Sequence, residues 1–283
     1  MANDELAARL QQQFPDLEVA PLRLLDVGFG STVVETADGI VLRIARHARA
    51  AKGHAREARL LPQLRGRLPV DIPDPRWRVE PGSAFPFGVI GYRKLSGDAL
   101  VPEDADETVE ADVAAFITCL HDVSDVDAPS YHADPLQELH DTTTSVLRRV
   151  LSADELHRLT TWWDELGADE RFRTFSPRLR HGDLWYENLL VADGRLVGVI
   201  DWGTAEYGDP AEDFDALRHV SDDFAEAVLA AYPHADADLR HRIERHWELR
   251  ELWGVMLACE LGDEDELHDA VRKLRAGPVL GAE

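Results

Sequence analysis

The chain has 283 residues, 45% hydrophobic and 30% charged, with 54 acids against 30 bases and a formal charge of −24. That length can bury one large core or two modest ones, and the hydrophobic share excludes a disordered or fibrous chain. So acidic a polymer repels nucleic acid and anionic membranes, both of which need a cationic partner surface. The acidity is uneven: residues 1–97 hold 11 acids and 14 bases, whereas residues 98–283 hold 43 acids and 16 bases. A front half of this kind accepts a polyanion, and the back half attracts metal cations or amines. Only three of the 30 bases are lysines, which a salt-adapted or GC-rich source would also produce.

Residues 1–17 follow a helical pattern broken by Asp4, Glu5, Arg9 and Asp16, without the basic start and apolar run of a signal peptide. No segment reaches the length of a membrane span, so a cytoplasmic protein is expected. Cys119 and Cys259 sit in helix-like apolar segments with no metal or disulfide spacing, which makes them packing residues. From Pro21 to Ile44 the pattern is that of strands, with a glycine turn at Val27-Gly28-Phe29-Gly30-Ser31 and a hairpin turn at Asp38-Gly39. Arg46–Leu64 is a basic helix carrying Glu57, prolines then punctuate two further strands ending at Ile90, and Gly91–Gly97 reads as a linker.

Beyond Glu103 the apolar spacing turns helical, over Val109–Val123, Asp134–Leu151, Ala153–Leu166, Pro210–Tyr232 and Leu239–Leu261. One interruption stands out. Leu189–Ala192, an Asp193-Gly194 turn and Arg195–Ile200 form a hairpin, with His181-Gly182-Asp183 and Asn188 before it and Asp201-Trp202-Gly203 after it. A two-stranded hairpin returns the chain to its start, so Asn188 and Asp201 come side by side with Asp183 one loop away. Oxygen donors of this kind suit Mg²⁺, which takes few protein ligands and shares the rest with phosphates.

The Asp183-to-Asn188 spacing equals that of the protein-kinase catalytic loop, H-R-D-x-x-x-x-N, with Asp201 standing for the metal-binding Asp of D-F-G. Only a few residues separate Asp201 from Asp209-Pro210-Ala211-Glu212-Asp213, leaving no activation segment. The ordered set H-G-D-x-x-x-x-N, hairpin, I-D-W-G and D-P-x-x-D resembles the aminoglycoside-phosphotransferase superfamily of small-molecule kinases. Val89–Gly97 is similar to the hinge of its aminoglycoside 2″-phosphotransferases.

That resemblance implies an α+β, bilobal, protein-kinase-like fold, with a β-rich nucleotide-binding lobe and hinge over residues 1–97 and a helical catalytic and substrate-binding lobe over 98–283. It implies that Asp183 orients or deprotonates the attacking hydroxyl, that Asn188 and Asp201 hold Mg²⁺, and that His181 and Asp213 support the catalytic loop. Arg43, Glu57, Gly91, Tyr92 and Arg93 are the nucleotide-binding set it implies, and Gly30 and Ser31 either join it, by letting backbone N–H groups approach the triphosphate, or serve an ordinary hairpin turn. Arg43 departs from the lysine this position often carries, and its fixed charge can grip phosphate while pairing with Glu57. The bulk of Tyr92 at the hinge implies use of GTP, alone or beside ATP.

Trp247, Glu248 and Glu251 on the long helix offer an amine-binding surface, or else a solvated acidic face over packed tryptophans. The expected activity is phosphorylation of a hydroxyl on a small-molecule acceptor, an aminoglycoside or another sugar-bearing or nucleoside antibiotic. A metabolic kinase for an amino alcohol, amino acid or sugar, and a nucleotide-binding regulator without catalysis, are the alternatives.

Overall fold

The structure, a computed structural model, describes residues 3–28, 30–130 and 135–281. Phe29 of the glycine turn, Asp134 at the head of an expected helix, and Met1 and Ala2 lie outside the described residues. Helix α1 (Asn3–Gln13) precedes strands β1 (Arg23–Val27), β2 (Ser31–Glu35) and β3 (Ile40–Ala45), then α2 (Ala48–Leu64), β4 (Trp77–Val79) and β5 (Val89–Arg93). The five strands form one antiparallel sheet in the order β1-β2-β3-β5-β4. Leu6 and Leu10 of α1, and Phe14 just beyond it, pack on Val34, Ile40, Leu42 and Val89. Each such side chain contributes about 1.5–3 kcal/mol when fully buried. Because side chains alternate along a strand, Val41 and Arg43 of β3 and their cross-strand partners Tyr92 and Ile90 face the other way.

The expected linker at Gly91–Gly97 is corrected: Gly91, Tyr92 and Arg93 belong to β5, and the chain leaves the sheet at Lys94. Gly91 read as a breaker, but it is glycine because the sheet closes on it. A Cβ there would stand 2.5 Å from Leu42 Cδ2 and 3.2 Å from Trp77 Cβ.

The remainder is mostly helical, as expected: β6 (Asp98–Ala99), α3 (Glu107–His121), α4 (Pro135–Leu147), α5 (Ala153–Ala168), α6 (Glu170–Arg173), β7 (Arg178–Arg180), β8 (Leu189–Ala192), β9 (Arg195–Val199), β10 (Glu206–Gly208), α7 (Glu212–Asp215), α8 (Asp222–Ala231), α9 (Leu239–Leu261) and α10 (Glu264–Ala276). The single helix expected over Pro210–Tyr232 is two, because the Ser221 side chain accepts a hydrogen bond from Phe224 N and starts α8 afresh. Likewise α4 stops at Leu147, and a capping box between Ser152 and Glu155 opens α5. Both cysteines are free and only half-buried, and Cys119 Sγ–H donates to Arg67 O at 3.2 Å.

The chain packs as two units. The first holds Met1–Pro129, Arg178–Tyr207 and Ala216–His234, and therefore both the five-stranded sheet and the β8–β9 hairpin. The second holds Ser130–Pro177, Gly208–Asp215 and Ala235–Glu283, with a core of Leu139, Trp162, Trp163, Leu249, Leu252 and Leu274 among others.

Candidate active site

The hairpin does the placing. Leu189 pairs with Val199 and Leu190 with Gly198, and Ile200 N–H donates to Asn188 O at 3.0 Å, so the ladder continues one step past both strands. Asn188 and Asp201 consequently emerge at the same end. Asp201 adopts φ 62° and ψ 64°, a left-handed conformation that few residues other than glycine accept. Strain of this kind concentrates where a side chain must be aimed.

The preceding loop is tied to the same end. His181 is fully buried, its Nε2 lies 3.1 Å from Ile200 O, and its Nδ1 accepts Asp183 N–H at 3.3 Å. Those two bonds assign the proton to Nε2. The His181 ring meets Trp202 edge-on with centroids 4.7 Å apart, and Thr204 Oγ1–H donates to His181 O at 2.9 Å. Asn188 Nδ2 donates to Asp183 O at 3.0 Å and to Asp183 Oδ2 at 3.2 Å. One amide thus orients the Asp183 carboxylate and directs its own oxygen away from it.

Arg43 reaches this end from the sheet. Its Nη1 donates to Glu57 Oε1 at 2.6 Å and its Nη2 to Asp201 Oδ1 at 2.7 Å. Helix α2 brings Glu57 there by lying against the turn after Asp201, where a Cβ on Gly53 would stand only 3.3 Å from Gly203 Cα. Glu57 is completely buried, and Asp201 keeps 43% of its side chain exposed. Burial pushes the Asp201 carboxyl up, but the charge and hydrogen bond of Arg43 outweigh it and hold the group below its ordinary range. For Glu57 burial prevails over Arg43 and raises the carboxyl.

Tyr92 is buried on the Arg43 face, and burial raises its phenol. Strand β4 begins at Trp77, opposite Gly91, so Tyr92 and Arg93 extend beyond its pairing while still pairing with β3. Gly30 O accepts Arg46 N–H at 2.9 Å, and Ser31 Oγ lies 3.0 Å from His54 Nε2. Sequence reasoning passed over His54. Burial and the neighbouring Arg43 charge lower its pKa to about 4, so it stands neutral beside the glycine turn.

Among the described residues no group of three or more His, Cys, Asp or Glu side chains is placed to hold a metal unaided. Asn188 and Asp201 each bring a side-chain oxygen to the same end of the hairpin, and oxygen donors are the chemistry that suits a hard cation shared with phosphates.

The half-buried Asp183 carboxylate oriented by Asn188, Asp201 in its left-handed turn and Arg43 ion-paired on the sheet form one constellation. The chain matches the family model described as "Phosphotransferase enzyme family" over residues 22–272. It belongs to that family. Viomycin phosphotransferase of Streptomyces vinaceus is 29% identical over 191 residues, which is 64% of this chain and 66% of that protein. The GDP and kanamycin complex of APH(2″)-IIIa superposes with a TM-score of 0.83 at 22% identity, covering 96% of this chain and 97% of that one. A macrolide 2′-phosphotransferase type I gives a TM-score of 0.74 at 26% identity, covering 99% and 97%. The fold is therefore kinase-like, as expected from the motif order.

The remaining residues expected at the site, Asp213 and the α9 set, belong to the second unit. Asp213 is completely buried on α7. On α9, Glu248 accepts Trp162 Nε1–H at 2.9 Å and Arg245 Nη1 at 2.7 Å, Glu251 pairs with Arg250 Nε at 2.9 Å, and the Arg250 guanidinium lies 3.6 Å over the Trp247 ring. The expected acidic face is thus laced to arginines and indoles. A cavity of about 580 Å³ in this unit is lined by His140, Trp163, Asp164, Phe172, Glu212 and His246, among others. Arg242, which no sequence pattern singled out, is buried where its Nε meets both oxygens of Asp209 at 3.0 Å and its Nη1 and Nη2 meet Asp236 at 3.0 and 2.9 Å.

Proposed function

We propose that this phosphotransferase moves the γ-phosphoryl group of GTP or ATP, in a Mg²⁺-dependent reaction, to a hydroxyl of a small-molecule antibiotic. The observation that carries the reading is the Asn188 amide bonded to both oxygen types of Asp183 at the hairpin end where Asp201 emerges. Phosphoryl transfer asks for positioning and charge neutralisation more than covalent chemistry. Asp183 accepts the proton of the attacking hydroxyl, held in register by Asn188. The Asn188 and Asp201 oxygens would hold Mg²⁺, which when bound neutralises phosphate charge. Arg43, anchored by Glu57, offers its guanidinium to the phosphates, and the backbone of Gly30 and Ser31 lies at the turn that would approach them.

Tyr92 and Arg93, beyond the pairing of β4, are the positions for the base, and the bulk of Tyr92 supports guanine. The GDP complex of the APH(2″)-IIIa relative supports the same choice. An antibiotic acceptor is supported by the names of the viomycin and macrolide relatives. The second-unit cavity has chemistry suited to such a ligand: aromatic walls, carboxylates, and the buried Trp163 Nε1–H, which has no hydrogen-bond partner among the described residues.

Purified protein with Mg²⁺ and either nucleotide is to be incubated with aminoglycosides, viomycin-type peptides, macrolides, nucleoside antibiotics and small amino alcohols, with product mass as the readout. One added phosphate on an antibiotic is the expected result. Turnover confined to amino alcohols, amino acids or sugars would move the protein to metabolism, and strict ATP use would discard the Tyr92 argument.

A further inference from the structure

We propose that Arg43 is an exchangeable counter-cation of the metal site: its guanidinium holds Asp201 until nucleotide phosphates draw it off, so that divalent metal and nucleotide bind as a coupled pair. This rests on the assignment of Asn188 and Asp201 to Mg²⁺ made above.

The geometry is a fork. One terminal nitrogen of Arg43 is on Glu57 at 2.6 Å and the other on Asp201 at 2.7 Å, so one bond can open while the other stays in place, which a cation centred on a single nitrogen does less readily. The two acceptors are not equivalent. Glu57 is fully buried, and its second oxygen has no hydrogen-bond partner among the described residues, so withdrawing Arg43 would strand a desolvated carboxylate. Asp201 is 43% exposed and can turn to water or a metal. The bond to Asp201 is therefore the one that opens, and the bond to Glu57 is the pivot.

Arg43 does not shed its charge. A divalent ion on Asp201 without nucleotide would share one carboxylate with a guanidinium cation, and the two would repel. A triphosphate removes the conflict, because it supplies negative charge for both and new acceptors for the released nitrogen. Replacing the guanidinium with lysine keeps a cation for Glu57 and gives up the second arm.

Mn²⁺ binding to the full-length chain, followed by electron paramagnetic resonance with and without the β,γ-imido analogues of GTP and ATP, tests this directly. For the unmodified protein the expected result is Mn²⁺ affinity about tenfold or more higher with the analogue than without it, a coupling of ordinary size. In Arg43→Lys the nucleotide-free affinity should rise by about the same factor and the coupling should shrink, with the melting curve confirming a folded protein. Equal nucleotide-free affinity and equal coupling in the two proteins would overturn the exchange, as would Mn²⁺ binding to the unmodified chain that ignores nucleotide. Asp201→Asn separates the two levels of the argument. It should abolish Mn²⁺ binding in both states, and if it binds Mn²⁺ like the unmodified protein, the metal assignment itself falls.

Discussion

Each of the two units buries an arginine between two carboxylates, and the two arrangements differ in how completely they close. Arg242 in the second unit spends its guanidinium on bidentate pairs with Asp209 and Asp236, and His246 Nε2 adds a further contact to Asp209 at 3.2 Å. Arg43 in the first unit places one bond on each partner and leaves Glu57 Oε2 without a hydrogen-bond partner among the described residues; the outer carboxylate is half open to solvent in both networks, Asp201 at 43% and Asp236 at 51%. A closed network holds helices together. An open one has valence left for a ligand, and its incomplete satisfaction is a mark of function.

The largest expected effect lies on the open side. Asp183→Ala should lower kcat by about 10³-fold, the ordinary scale of a lost general base, with nucleotide affinity and unfolding midpoint nearly unchanged. Turnover near that of the unmodified protein would remove Asp183 from the mechanism. On the closed side, Arg242→Met should cost about 3–5 kcal/mol in urea unfolding, because Asp209 is left buried without its cation. If the loss were as small as that of an exposed pair, the two networks would not differ in kind.

The pH dependence of stability sharpens the contrast further. Burial pushes His246 down, but its bond to Asp209 and the charges of Glu212, Asp209 and Asp215 outweigh that and raise it above 6.5. Its contribution is full below pH 6.5 and is lost as pH climbs through the raised folded value. Burial likewise pushes Asp209 up, and His246 and Arg242 outweigh it, so the carboxyl lies below 3.8. Its contribution is full above pH 3.8 and is lost as pH falls through the lowered value. Melting temperatures should therefore fall on both flanks, and His246→Asn should remove the alkaline dependence and weaken the acid one, leaving the part that Arg242 supports. A control at the surface gives the smallest effect. Arg195 grips Asp112 with two bonds of 2.7 and 2.8 Å but is mostly exposed, so Arg195→Ala should cost about 0.2–1 kcal/mol.

Wherever the information is local, the chain declares itself. The Asp193-Gly194 turn and the alternating apolar residues on either side define the hairpin, and the hairpin alone brings Asn188 and Asp201 to one end. Gly91 and the Pro210–Tyr232 stretch were misread for the same reason in reverse. A glycine demanded by side chains on two neighbouring strands looks like a breaker, and a serine cap inside a helical pattern is easily absorbed into it.

From the chain alone came the α+β class, the phosphotransferase motif and the candidacy of Asp183, Asn188 and Asp201, since turn chemistry, periodicity and short spacings act within a few residues. Only the tertiary structure decided that Arg43 bonds an aspartate 158 positions away, that Trp162 takes Glu248 across 86 positions, and that Arg242 is buried in its second-unit network. Those partners are chosen by which faces the packed elements bring together, and a charged residue on a helix reads the same in sequence whether it meets water or a buried carboxylate.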